Sequence, residues 1–273
     1  VNRWRYIEDD KQNGAWNMAV DEALLRSCES DPSFVPTLRL YGWNHPTLSI
    51  GYSQPLEAEI DLLRCREKNV GWVRRPTGGR ALLHLEELTY SMVGPVTHPL
   101  FSGGLKATFS VISQALLRGL RELHIADAHI NKEKQYGTTR RERSPACFAS
   151  LNHCEITVHG RKLVGSAQRR TQQAFLQHGS VLITTDHDLF HSLLLHRHSG
   201  VVTGSLEKLK ASTTTLNEIT GHPIAFQTVR DAFRTGMTTH FDGMWETAEL
   251  THAERSLADH LLEHHRATAE MAR

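Results

Sequence analysis

The hydrophobic residues of this chain first fall into a helical rhythm. Behind Asn13 and Gly14, the residues Met18, Ala19, Ala23, Leu24 and Leu25 recur on one face, which predicts an amphipathic helix over 16–26. Residues 37–41 and 47–52 then alternate as strands do, on either side of a turn at 42–46. A short helix over 57–68, a strand over 71–75, the loop Pro76, Thr77, Gly78, Gly79 and a strand over 87–93 follow. The longest predicted helix runs from Leu105 to Leu123, where Phe109, Ile112, Leu116, Leu120 and Leu123 share a face. Residues 132–144 are polar and loop-like. Beyond them, 155–158 and 161–168 predict a hairpin about His159 and Gly160, because glycine at the second loop position suits a type I′ turn. A strand over 175–183 comes next, and after Asp186 the pattern turns mostly helical, most clearly at 226–234 and 252–265. No repeat or low-complexity linker divides the chain. The pattern therefore predicts an α+β fold, with a core over 1–200 and a helical C-terminal third, residues 201–273, packed on the same domain.

Composition narrows the function classes. In 273 residues, 31 Lys and Arg face 30 Asp and Glu, so the net charge of +1 argues against tracking nucleic acid by bulk electrostatics. A local basic patch is still free to recruit an acidic partner. Four cysteines without CxxC spacing read as a reduced, cytoplasmic protein rather than a disulfide framework, and no apolar run of about 18 residues predicts a membrane span. The first residues lack the charged and apolar regions of a secretory leader. The 18 histidines call for a metal reading, and His260, Glu263 and His264 match H-x-x-E-H. Only Glu270 follows as a further ligand, so the reading is a solvated helix face and no metal is expected. The same holds for His187, His191, His196 and His198, whose spacing is irregular.

Three constellations carry candidate chemistry. Arg74, Arg75, Thr77, Gly78, Gly79 and Arg80, with His84 nearby, combine close backbone approach with three guanidinium groups, which suits an anionic or carbonyl-bearing ligand. The segment lacks the P-loop pattern, and a structural Gly-Gly turn between strands is the plainer alternative. In the second, period two places Lys162 and Ser166 on one face of a strand, while Gly165 and Ala167 leave room for a ligand. A desolvated lysine there can polarise a carbonyl or move a proton, and a charged hairpin edge is the alternative. The third is Cys147, just past Arg140, Arg141 and Arg143, where nearby cations favour the thiolate. A lone cysteine beside Phe148 is otherwise a small buried hydrophobe, as Cys28, Cys65 and Cys154 are expected to be.

Residues 71–84 (Gly-Trp-Val-Arg-Arg-Pro-Thr-Gly-Gly-Arg-Ala-Leu-Leu-His), 87–91, 160–168 (Gly-Arg-Lys-Leu-Val-Gly-Ser-Ala-Gln) and 177–180 (Gln-His-Gly-Ser) resemble the lipoate-protein ligase A and octanoyltransferase family in order and spacing. Segments 14–24 and 41–52 fit the same family, so the resemblance covers the chain to about residue 200. Cys147-Phe148 ahead of the hairpin, and Gly-Gly-Arg at 78–80, are most similar to the LipM-type octanoyltransferases. The resemblance implies a biotin and lipoate protein ligase-like fold of mixed, mainly antiparallel sheets flanked by helices, with an acyl chain in a tunnel beside the sheet. It implies transfer of octanoyl from octanoyl-acyl carrier protein, through a Cys147 thioester, to a lysine of a lipoyl domain or glycine cleavage H protein. Lys162 would activate Cys147 and the incoming amine.

Arg74, Arg75, Thr77, Gly78, Gly79, Arg80, His84, Gly165, Ser166, Ala167, Gln168, His178 and Gly179 would surround the substrate, and backbone amides at Gly78, Gly79 and 165–167 would hold the carbonyl oxygen. No cofactor is expected, and neither nucleic acid nor membrane is expected as a partner. Between Lys132 and Arg143, five Lys or Arg and two Glu provide a basic docking surface for acidic carrier proteins. The alternatives are an ATP-dependent lipoate-protein ligase, which would need ATP and magnesium and has no use for Cys147, and an amidotransferase taking octanoyl from H protein. Leu85 follows His84 where the family commonly has Asp. A straight hairpin would hold Cys147 roughly 33 Å from Lys162, so cooperation requires a bend near 150–152 or a loop carrying Cys147.

Overall fold

The computed structural model describes residues 2–131, 155–195 and 206–270. The expectations placed on Cys147, Cys154, His196, His198, the basic loop and the bend near 150–152 therefore lie outside the described residues. The chain opens with β1 (Arg3–Gln12), α1 (Gly14–Ser30), β2 (Thr37–Trp43) and β3 (Thr47–Ile50), then α2 (Leu56–Glu59), α3 (Leu62–Glu67), β4 (Gly71–Arg74), β5 (Leu82–His84) and β6 (Glu87–Pro95). Next come α4 (Gly104–Glu122), β7 (Ala128–Ile130), β8 (Ile156–Val158), β9 (Arg161–Arg170) and β10 (Ala174–Leu182). The remainder holds α5 (His187–Ser192), α6 (Leu206–Ser212), α7 (Leu216–Thr220), α8 (Phe226–His240), β11 (Met244–Thr247) and α9 (His252–Glu270).

Eight strands form one mixed sheet in the order β11-β1-β2-β6-β10-β9-β8-β7, parallel at the β11, β1 and β2 end and antiparallel from β2 onward. A smaller sheet, β4-β3-β5, pairs β3 with β4 in parallel and with β5 antiparallel. One face of the large sheet packs Leu38, Leu40, Tyr90, Met92 and Val181 against Ile112 and Leu116 of α4 and Phe233 of α8. On the other face α1 and α9 cover Ile7, Val93 and Leu176, while Leu182 joins Leu48 and Ile50 of the small sheet. The small sheet thus lies against the end of this second face that α1 leaves uncovered.

Local chemistry sets the main boundaries. The Asn13 side chain caps α1 by accepting the Trp16 N–H at 2.9 Å. His159 and Gly160 have φ of 49° and 75°, both positive, as a type I′ hairpin between β8 and β9 requires. The helix expected over 57–68 is two, α2 and α3, split at Ile60, whose backbone bridges to Leu194.

The C-terminal third is mixed rather than helical: β11 extends the large sheet alongside β1, and its Trp245 stacks on Trp4 with ring centroids 5.5 Å apart. A four-residue strand of this kind has no period to read and exists because of its distant partner. The fold is mixed α/β, with a large mixed sheet flanked by helices. Among the described residues no helix is long and apolar enough to cross a membrane.

Candidate active site

A narrow slot opens between the two sheets. Met18 of α1, Tyr41 and Trp43 of β2 and Leu82 of β5 give it apolar walls, while Ser49, Arg75, His84, Thr89, His178 and Ser180 supply polar groups. Gly165, Ser166 and Ala167 of β9 and Gly179 of β10 line it with backbone and small side chains. A Cβ at Gly179 would collide with the Gly165 carbonyl and stand 2.7 Å from Ser166 Oγ, so the close approach of the two strands requires glycine there.

Two buried histidines face the slot, each held by a carboxylate. His178 Nδ1 lies 2.8 Å from Asp21 Oδ2, and its Nε2 lies 2.6 Å from Thr77 Oγ1. Asp21 also accepts from Arg39 Nη1 at 2.9 Å and from the Tyr41 hydroxyl at 2.9 Å, and both it and Arg39 are fully buried. Burial alone would raise the Asp21 carboxyl, but the hydrogen bond from His178, the Arg39 guanidinium and the Tyr41 hydroxyl hold it below its ordinary value. Tyr41, buried beside that carboxylate, is pushed well above the ordinary phenol value.

The second histidine, His84, places Nδ1 2.7 Å from Glu87 Oε1 and Nε2 2.7 Å from Ser49 Oγ. Its ring stacks on Trp43 at 3.8 Å. The same Glu87 oxygen accepts from Thr89 Oγ1 at 2.7 Å and Ser180 Oγ at 2.6 Å. Glu87, two residues beyond Leu85, is thus the carboxylate that meets this histidine.

Lys162 departs from the simple strand reading. Ile156 pairs with Val164, but the next residue, Thr157, pairs with Lys162, so Leu163 is the extra residue of a β-bulge. One inserted residue reverses the alternation behind it. Leu163 and Val164 both enter the core under α4, and Lys162 faces the slot side with Gly165 and Ala167, opposite Ser166. Ser166 instead receives the Tyr90 hydroxyl at 2.7 Å on the core side. Lys162 is fully buried, and its ammonium donates to Glu155 Oε1 at 2.5 Å.

The glycine-rich loop divides its residues between scaffold and slot. Arg74 Nη1 donates to the carbonyls of Gly51, Tyr52 and Gln54 at 2.8, 3.0 and 2.9 Å, away from the slot. Arg80 pairs with Glu59 at 2.7 Å. Arg75 lines the slot, donating to Ser49 Oγ at 3.0 Å and gripping the Gly78 carbonyl at 2.9 Å. Gly79, at φ +99°, makes the turn. Gln168 donates to Gln177 at 2.8 Å beside Tyr90, on the face away from the slot. Burial pushes the thiols of Cys28 and Cys65 up to about 12 and about 11, as expected of inert filler. Among the described residues no three His, Cys, Asp or Glu side chains converge as a metal site.

Known proteins align closely with this architecture. The lipoyl protein ligase A/B catalytic domain matches residues 13–238. The chain belongs to that family. Within the lipoyl protein ligase A/B family, octanoyltransferase LipM of Geobacillus kaustophilus is 39% identical over 261 residues, covering 94% of this chain and 93% of its own. Octanoyltransferase LipM of Bacillus subtilis is 37% identical over 263 residues, covering 95% and 94%. Among solved structures, lipoate-protein ligase A bound with ATP superposes with a TM-score of 0.76 at 23% identity over 96% of this chain and 94% of that one. A bi-partite lipoate protein ligase of Thermoplasma acidophilum gives 0.78 at 22% identity, over 96% and 93%. These structures carry the fold.

Sequence patterns name half of the slot residues but miss their partners. Asp21, Ser49, Glu87 and Glu155 lie on four different elements or their approaches, and no local spacing links any of them except Glu87 to its histidine. The one available signal is a carboxylate on an apolar helix face, as at Asp21 in α1, three or four residues from Met18, Leu24 and Leu25.

Proposed function

We infer that this chain is an octanoyltransferase. The observation that carries the reading is the match to octanoyltransferases along nearly the whole chain, with Cys147 placed ahead of the hairpin that presents Lys162. In this reading octanoyl-acyl carrier protein is the donor. The Cys147 sulfur attacks the octanoyl carbonyl, the bond to the pantetheine sulfur breaks, and that thiol leaves with a proton. One thioester replaces another, so the step is near balance and needs no ATP. The lysine amine of a lipoyl domain or H protein then attacks the Cys147 thioester, and its proton leaves with the freed Cys147 thiol. Amide formation draws the sequence forward.

Each part of the slot has a place in this chemistry. Met18, Tyr41, Trp43 and Leu82 offer apolar surface for an eight-carbon chain. Lys162, held by Glu155, brings a cation to the slot face, where it favours a thiolate and a developing oxyanion. Among the described residues β8 stops opposite Val164, so from Gly165 to Ala167 β9 is paired on the β10 side alone. Alternate backbone N–H groups there point outward and are suited to the acyl oxygen.

The test is incubation with octanoyl-acyl carrier protein and a lipoyl domain in the absence of ATP. Octanoylation of the domain lysine is expected. Modification that requires ATP and free lipoate would overturn the reading in favour of a ligase.

A further inference from the structure

Ser49, His84 and Glu87 satisfy the geometry of a nucleophile, its base and the group that orients the base. Ser49 Oγ and His84 Nε2 are 2.7 Å apart, and His84 Nδ1 and Glu87 Oε1 are 2.7 Å apart. In the tautomer that gives Nδ1–H to Glu87, Nε2 is the acceptor nitrogen. Ser49, whose oxygen already receives the Arg75 N–H at 3.0 Å, supplies its proton to that nitrogen. Trp43, stacked on the imidazole, and the Thr89 and Ser180 hydroxyls on Glu87 fix both partners in place. Ser49 and His84 are nearly fully buried, yet both line the slot, so whatever enters the slot meets them.

We propose that Ser49, His84 and Glu87 form a second acyl-transfer centre, which hydrolyses medium-chain acyl esters and thioesters through an acyl-Ser49 ester. Ser49 Oγ bonds to the acyl carbon while its proton passes to His84 Nε2. The bond to the leaving thiolate or phenolate breaks, and that group takes the proton from His84. Water then adds to the ester, giving its proton to His84. The Ser49–acyl bond breaks, Ser49 recovers the proton, and the free carboxylic acid leaves. The Arg75 guanidinium, 3.0 Å from Ser49 Oγ, supplies positive charge for the oxyanion in both halves. A polar cross-strand pair kept only for packing would not need a stacked base and a guanidinium converging on one hydroxyl, with a buried carboxylate behind the base.

The proposal does not depend on Cys147, and its test leaves transfer to lipoyl domains aside, so either can fail alone. Full-length Cys147→Ala protein is assayed with p-nitrophenyl octanoate. Hydrolysis above the uncatalysed rate is expected, falling to that rate on adding Ser49→Ala and by at least about 100-fold on adding Glu87→Gln. Because Ser49→Ala alters a buried strand, Ser49→Cys in the same background is treated with the ester and its intact mass measured. An octanoyl adduct that hydroxylamine removes and peptide mapping places at residue 49 is expected. A Cys147→Ala protein without hydrolysis, a Ser49→Ala/Cys147→Ala protein as active as Cys147→Ala, or an unmodified Ser49→Cys protein would overturn the proposal.

Discussion

Asp21→Asn perturbs the interior of the site with one atom exchanged. Asp21 accepts three hydrogen bonds, from Arg39, Tyr41 and His178, and every donor is buried. Asparagine keeps one oxygen and substitutes an NH2 that can accept nothing. Either Arg39 loses its deeper carboxylate, retaining Asp9 at 2.8 Å, or the NH2 confronts two donors and forces His178 into its other tautomer. Removing one partner of a buried ion pair costs about 3–5 kcal/mol. At about 2–4 °C per kcal/mol for a chain of this size, the melting temperature should fall by about 10 °C.

The pH dependence has a fixed sign. The folded-state value of Asp21 lies below its ordinary 3.8, so its contribution is complete above that value and is lost as pH falls through the folded value. The gap between parent and variant therefore narrows below about pH 4. Thermal melts at pH 7 and at steps down to pH 3 measure both effects. A pH 7 loss under about 1 kcal/mol, or a gap that widens in acid, would rule out Asp21 as the anchor of this buried cluster.

Gly179→Ala inserts a methyl group 2.8 Å from Tyr90 and against the Gly165 carbonyl, and should cost about 1–3 kcal/mol in urea unfolding while lowering octanoyl transfer. Glu155→Gln removes the carboxylate from a fully buried ammonium. The transfer rate should fall by about 100-fold, with partial recovery in Glu155→Asp, measured by single-turnover kinetics. Burial opposes ionisation of Glu22, but hydrogen bonds from His265 and Arg26 outweigh it and draw the carboxyl from 4.5 to about 2. Its contribution to docking α9 on α1 is present above pH 4.5 and fades toward pH 2, so Glu22→Gln should flatten the acid limb of a melting curve across that interval.

Elements with a strong internal period are legible in the amino-acid sequence alone. Helices α1, α4, α8 and α9 follow apolar stripes, and the β8-β9 hairpin follows from His159 and Gly160. β1 and β11 are hidden for a shared reason: β1 reads Arg-Trp-Arg-Tyr-Ile-Glu-Asp-Asp-Lys-Gln and β11 Met-Trp-Glu-Thr, too polar or too short to signal a strand alone. β11 becomes a strand through long-range pairing with β1, and β1 through pairing with both β11 and β2. Period two places Lys162 and Ser166 on one face where the structure separates them, because it holds only for an unbroken strand, and the bulge at Leu163 leaves no compositional mark. The glycine-rich motif identifies the right loop, although Arg74 and Arg80 are committed to loop carbonyls and to Glu59.

The proposed transfer turns on a covalent octanoyl-enzyme at Cys147, which intact-mass spectrometry reads out. The full chain is mixed with octanoyl-acyl carrier protein, without ATP or acceptor, and its mass is recorded before and after hydroxylamine. The expected product is an added octanoyl group that hydroxylamine removes, that maps to Cys147, and that Cys147→Ala abolishes. An enzyme that octanoylates a lipoyl domain without ATP while Cys147→Ala transfers at the parent rate would exclude the Cys147 thioester.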